Sequence, residues 1–251
     1  YVRCHDDIGW GFEKEILKDL GMDPEMHKQY MIQYMEGKFP GSFFFFLFYE
    51  FNPETKYARN SGTLASLCGL EQAINEKHIY KIELAVKRIL LLHAMIISYT
   101  GIPLLYSGDE IGQLNNWGYK TIPEYASDSR WLHRGAMDWK DAEKRKDLST
   151  VQGQIFTRIQ NMISIRKSNV FFSSKYKAIP VHTGNPAIFC FHKEDKMLVL
   201  ANFSETEQWV DASAFDWFGL PGEMQDLITG RCIRSYNNQI QLGPYEYLWL
   251  V

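Results

Sequence analysis

The sequence predicts an α/β segment followed by an all-β antiparallel module. Two observations carry this. A long amphipathic run, Tyr80 to Tyr99, has Ile82, Leu84, Ala85, Ile89, Leu92, His93 and Ile96 at helical spacing. It leads through Gly101 into the short apolar stretch 102–106, a pattern expected of a helix feeding a buried parallel strand. Past Asn169 the texture changes to short alternating runs at 187–193, 196–203, 207–211, 239–242 and 245–250. Gly184-Asn185-Pro186, Glu194-Asp195, the 219–222 stretch and Asn237-Asn238 separate them as turn signals.

The remaining elements follow in order. Residues 1–5 read as a strand ending at His5-Asp6-Asp7. Residues 11–37 read as helix, broken at Gly21-Met22-Asp23-Pro24, with Asp23 as N-cap and Pro24 at the first helical position. Phe39 to Asn52 reads as β and contains FFFFLF at 43–48, which must pack inward to avoid aggregation. Asn52-Pro53-Glu54-Thr55 is a turn signal. Gly62 to Ala73 reads as a short helix, 107–150 as a long polar loop, and 151–168 as a further helix with Ile155, Ile159 and Met162 on its apolar side.

Composition bounds the function. The chain has 251 residues, 45% hydrophobic and 15% aromatic, enough for one large or two smaller cores. A net charge of −3 gives no field of one sign for nucleic acid or an anionic membrane. Cys4, Cys68, Cys190 and Cys232 form no CxxC pair, so no zinc site or disulfide framework is expected, and each reads as a buried thiol. Unpaired cysteines point to a cytoplasmic setting. The opening Tyr1-Val2-Arg3-Cys4 reads as the entry to a strand, so the sequence has the character of a fragment.

The chemistry concentrates at Val2-Arg3-Cys4-His5-Asp6-Asp7-Ile8-Gly9-Trp10. In a parallel α/β barrel a His and a carboxylate just past a strand would face the active site and could bond adjacent sugar hydroxyls, while the dipeptide alone reads equally as a pair in an ordinary loop or cap. Such bonds tighten as a glycosidic bond breaks. Further on come Gly101 to Gly112 (GIPLLYSGDEIG), Ser127-Asp128-Ser129-Arg130-Trp131, His133-Arg134 and Met137-Asp138-Trp139. Together these motifs resemble glycoside hydrolase family 13, and most closely its amylosucrases. Asn52-Pro53-x-Thr55 and Arg59-x-Ser61-Gly62-Thr63 are similar to the module that amylosucrases insert after barrel strand seven.

The resemblance implies the C-terminal part of a (β/α)8 TIM barrel with a helical insert after strand seven, followed by a β-sandwich. Residues 1–10 would be strand seven and its catalytic loop, 11–62 the insert, 63–170 the end of the barrel and 171–251 the sandwich. It implies that His5 and Asp6 stabilise the transition state. Asp7, Asn52 and Arg59 would contact the acceptor, and Arg130 would close the pocket floor by pairing with an upstream aspartate. The residues alone leave Asp7 open as a cap for a helix near Gly11, and Arg130 open as a structural ion pair. Glu110 reads as a loop organiser and His93 as a core histidine.

The implied activity is transfer of glucose from sucrose to an α-glucan. Sucrose hydrolysis and a non-catalytic carbohydrate-binding fragment are the alternatives. The family's nucleophile and acid/base would lie upstream of Tyr1, so this chain alone is expected to be inactive. The expected partners are sucrose, an α-glucan or oligosaccharide, and the N-terminal half of the same enzyme. The open barrel edge makes a homodimer a further expectation. No metal or organic cofactor is implied, nor a nucleic acid or membrane partner. FFFFLFYE at 43–50 departs from the more polar amylosucrase stretch, and Ala58 stands where amylosucrases differ, which puts the acceptor in doubt.

Overall fold

The computed structural model describes residues 1–194, 196–218 and 223–251. The turn signals at Asp195 and 219–222 lie outside the described residues. The chain divides into two compact units, Tyr1–Val86 with Leu105–Gly153, and Lys87–Leu104 with Gln154–Val251.

In the first unit, helices α1 (Lys14–Asp19) and α2 (Pro24–Tyr34) are separated at the expected break. The Asp23 carboxylate accepts from the Met26 N–H at 2.8 Å, and Pro24 needs no donor there. Strands β1 (Leu47–Tyr49) and β2 (Arg59–Ser61) form an antiparallel hairpin pairing Tyr49 with Arg59. In the Phe-rich run only 47–49 is strand. Phe44 and Phe46 are buried with Met35 in one apolar cluster, so the run does turn inward. Helices α3 (Leu64–Leu67) and α4 (Leu70–Asn75) replace the single expected helix, because Gly69 sits at φ 78° between them.

Helices α5 (Ile79–Ser98), α6 (Trp139–Ala142) and α7 (Val151–Ser168) follow. The sequence placed α5 and α7 within a residue of these limits. His93 is buried on α5, its Nδ1 lies 2.8 Å from the Ile89 carbonyl, and burial lowers its pKa. The Asp138 carboxylate caps α6 by accepting from the Asp141 N–H.

In the second unit β3 (Ala178–Pro180), β4 (Ile188–Lys193), β5 (Met197–Asn202), β6 (Gln208–Asp211), β7 (Glu223–Gln225), β8 (Cys232–Arg234), β9 (Gln239–Leu242) and β10 (Tyr247–Leu250) are all antiparallel. The sheet order β10-β5-β4-β3 forms the main layer, with β6-β9 and β7-β8 as two-stranded ladders. One apolar cluster draws on both, including Cys190, Leu200, Val210, Met224, Ile240 and Leu250. On the other face Trp249 and Phe191 meet Phe172 and Tyr99. Cover on both faces explains why β5 is buried at every position rather than at alternate ones.

Two expectations are corrected. Neither 1–5 nor 101–106 is a strand. A parallel strand takes its ladder bonds from flanking strands, and every strand pair among the described residues is antiparallel. Nor are all four thiols buried: Cys4 is half-buried and Cys232 exposed. Cys232 lies on the outward face of the short β8, whereas burial pushes the Cys190 thiol up to about 12. Among the described residues no helix is long and apolar enough to cross a membrane.

Candidate active site

Three segments of the first unit meet around His5 and Asp6. The first is the 1–10 segment itself. The second is the β1-β2 hairpin. The third is the single turn Ser129–Leu132, capped by the Asp128 carboxylate, which accepts from the Arg130 N–H at 2.9 Å.

Ile8 and Asn60 exchange two backbone hydrogen bonds, at 2.8 and 3.0 Å, which join the first segment to β2. The buried Asn60 side chain strengthens the junction. Its Oδ1 accepts from Trp10 Nε1 at 2.7 Å and its Nδ2 donates to the Ile32 carbonyl at 3.2 Å. The 133–134 pair holds the other side. The His5 carbonyl accepts from Arg134 Nε at 2.7 Å and lies 3.0 Å from His133 Nε2. Gly62 donates its N–H to His133 Nδ1 at 3.2 Å, which places the imidazole proton on Nε2.

The Asp6 carboxylate lies 3.6 Å from His5 Nε2, 3.3 Å from Arg134 Nη2 and 3.8 Å from Arg130 Nη1. The His5 and Asp6 side chains remain 68% and 53% exposed. Ion pairs this open contribute at most about 1 kcal/mol to folding, so stability does not account for the cluster. Its open carboxylate can accept from hydroxyl groups and oppose positive charge developing on a ligand.

Arg130 is fixed on several sides. Its Nε and Nη2 donate to Asp128, the latter at 2.8 Å, and its guanidinium lies 4.3 Å from the Tyr49 ring centroid. Asp128 holds the Arg130 guanidinium above its ordinary pKa, and Arg130 holds Asp128 below the usual carboxylate range. The partner that the chain itself provides is therefore Asp128, two residues away. Arg59 meets the same Tyr49 ring at 5.1 Å and binds both Asp7, at 3.1 Å, and Glu50. The Asp7 side chain is only 4% exposed. Asp7 is not a helix cap, since α1 begins at Lys14 and has no side-chain cap.

Asn52 stands apart from this cluster. Its Oδ1 accepts from the Glu54 and Thr55 N–H groups at 2.9 and 3.1 Å, organising its own turn. Glu110 likewise organises a loop, accepting from the Gly108 N–H at 2.7 Å. Behind the site Arg3 is buried, 5.3 Å from the Tyr106 ring centroid. Burial raises Asp109 to about 7 against the opposing pull of Arg3.

Sequence reasoning gave no role to Tyr49, Asp128, His133 or Arg134. The signal available was the SDSRWxHR motif, in which Arg130 and Arg134 both lie close enough in sequence to reach Asp128, as they do at 2.8 and 3.9 Å. Among the described residues no group of three or more His, Cys, Asp or Glu side chains is placed to hold a metal ion.

His133 makes the site acid-sensitive. Burial first, and the nearby Arg3 cation second, lower its pKa from 6.5 to about 3. The unfolded chain therefore binds a proton that the folded one refuses. This contribution to stability is lost as pH falls from 6.5 toward 3, by up to about 1.4 kcal/mol per pH unit. Urea midpoints at pH 7, 5.5 and 4.5 are expected to fall less steeply in His133→Gln. Equal slopes would show that His133 titrates normally.

No protein-family model matches the sequence. Solved structures do share its fold. A variant of AmyP in complex with maltotriose has a TM-score of 0.52 at 19% identity, covering 66% of this chain and 35% of that one. A pullulanase from Anoxybacillus sp. LM18-11, complexed with maltotetraose, has a TM-score of 0.51 at 16% identity, covering 76% and 26%. The chain thus spans 35% and 26% of these proteins' lengths.

Proposed function

We propose that this chain is the C-terminal part of a retaining, sucrose-cleaving α-glucosyltransferase of the amylosucrase type in glycoside hydrolase family 13. The observation that carries the reading is the convergence of His5, Asp6, Arg130 and Arg134 at one exposed carboxylate. Shared fold with a protein crystallised with maltotriose supports an α-glucosyl ligand.

In this reading His5 and Asp6 bond the glucosyl hydroxyls, and Asp6 opposes the positive charge of the oxocarbenium-like transition state. Arg134 and His133 hold the His5 carbonyl and so aim both side chains. Arg130, stacked on Tyr49 and clamped by Asp128, forms the end wall of the glucosyl site. Asp7 acts on the acceptor indirectly, by orienting Arg59. Asn52 shapes the turn beside it. A retaining reaction also needs a nucleophilic carboxylate and an acid/base about 5 Å apart. Residues outside this chain supply both, in the strands that would complete the barrel.

One observation favours sucrose hydrolysis as a second reading. Phe48 and Phe51, in the stretch read as the acceptor side, stack at 5.4 Å, and Phe51 is 46% exposed. An apolar wall there offers few partners to an incoming glucan. Incubating the complete protein with sucrose separates the readings. Glucan with free fructose supports transfer, and equal glucose and fructose supports hydrolysis. No fructose release would rule out both and leave a carbohydrate-binding role.

A further inference from the structure

The second unit contains a cleft that the proposed glucosyl chemistry does not use. It has a volume of about 530 Å³ and lies between α5, α7, the 228–229 turn and the β9-β10 connection. That size suits a small organic ligand rather than a bare ion.

Its walls carry an uncompensated positive charge. Lys87 of α5 and Arg158 of α7 both line it, and among the described residues neither has an ion-pair partner. The one carboxylate in the lining, Glu246, is already engaged. Its Oε1 accepts from Arg231 Nη2 at 2.7 Å and its Oε2 from the Gly243 N–H at 2.8 Å. Asn161 adds a neutral polar group, whereas the Thr229 hydroxyl is already engaged, donating to Asp226 Oδ2 at 2.5 Å and accepting from Arg231 Nε at 3.2 Å.

Two tyrosines complete the lining. Tyr245 is held at φ 53°, a left-handed conformation uncommon for a bulky residue. Its N–H donates to the Ser204 carbonyl at 3.1 Å. Its hydroxyl accepts from Arg88 Nη1 at 3.2 Å, and the Arg88 guanidinium lies 5.0 Å from the ring centroid. Strain maintained by so many contacts is typical of a ligand clamp. Burial raises the Tyr247 phenol above its ordinary range, so its hydroxyl stays neutral.

We infer that this cleft binds a phosphorylated monosaccharide. Lys87 and Arg158 hold the phosphate, Asn161 serves the sugar hydroxyls, and the tyrosines supply the apolar wall. A neutral glucan gives no use to two unpaired cations. Free phosphate leaves most of the volume empty.

Calorimetric titration of the complete protein tests this, with glucose 6-phosphate, inorganic phosphate, glucose and maltotriose as separate probes. Glucose 6-phosphate is expected to bind, to weaken with added salt, and to bind about tenfold less tightly to Arg158→Gln and to Lys87→Gln. Both side chains are exposed, so the variants should keep the parent's thermal midpoint and its sucrose turnover. Four results would overturn the inference. They are no binding up to about 10 mM, equal binding by both variants, inorganic phosphate binding as tightly as the sugar phosphate, and displacement by maltotriose. None of these bears on the glucosyl site, which has its own assay.

Discussion

Asp6→Asn in the complete protein is expected to lower kcat for sucrose by about 10²–10³-fold with little change in KM. The amide keeps the shape of the carboxylate and can still bond a hydroxyl. What it loses is the negative charge, which on the proposed function matters only as positive charge grows on the glucosyl ring. The effect therefore falls on the transition state and not on the bound substrate. Stability should change by less than about 1 kcal/mol, because Asp6 is 53% exposed and its ion pairs are open to water. An unchanged thermal midpoint with a large kcat loss would match this account. A loss below about tenfold would remove Asp6 from the chemistry.

Gly62→Ala is expected to destabilise the fold by about 3 kcal/mol, at the upper end for overpacking. A Cβ at this position would fall inside the contact distance of the Phe46 ring. Phe46 is 2% exposed and packs with Met35 and Phe44, so the ring has nowhere to retreat. The same glycine donates to His133, and His133 holds the His5 carbonyl. Activity should therefore fall even where the variant is folded. Urea unfolding gives the stability, and Phe46→Leu in the Gly62→Ala background should recover part of it through a double-mutant cycle. A change within about 0.5 kcal/mol would contradict the packing.

The legible parts of the fold are those set by local sequence. Asp23-Pro24 starts α2 because one side chain supplies an acceptor and the next residue lacks the donor that would go unpaired. The β4, β5, β6, β9 and β10 runs are visible because turn residues bound each of them. The stretches 1–5 and 101–106 are also apolar and β-prone, but a ladder is a property of two segments, and pattern in one does not provide the other. Gly69 divides α3 from α4 by its backbone conformation, which hydrophobic spacing does not register.

The site shows the same division. His5, Asp6 and Arg130 stand out through motif resemblance. Arg134 meets Asp6 across 128 positions of sequence, and Tyr49 meets Arg130 from the β1-β2 hairpin, so neither contact has a local signature. Asn52 was readable twice, as a turn residue and as an acceptor contact, and its hydrogen bonds belong to the turn.

The junction at Asn60 has an evolutionary corollary. One buried amide ties the segment that bears His5 and Asp6, through Ile8 and Trp10, to the hairpin that bears Arg59 and to the carbonyl of Ile32 in α2. The hairpin is thus no detachable cassette. On the proposed function, grafting it from a relative to alter which molecule receives the sugar would also shift His5 and Asp6, the residues that steady the glucosyl transition state. On the same reading, new acceptor preferences should arise by point changes around Tyr49 and Arg59, with Asn60 left in place.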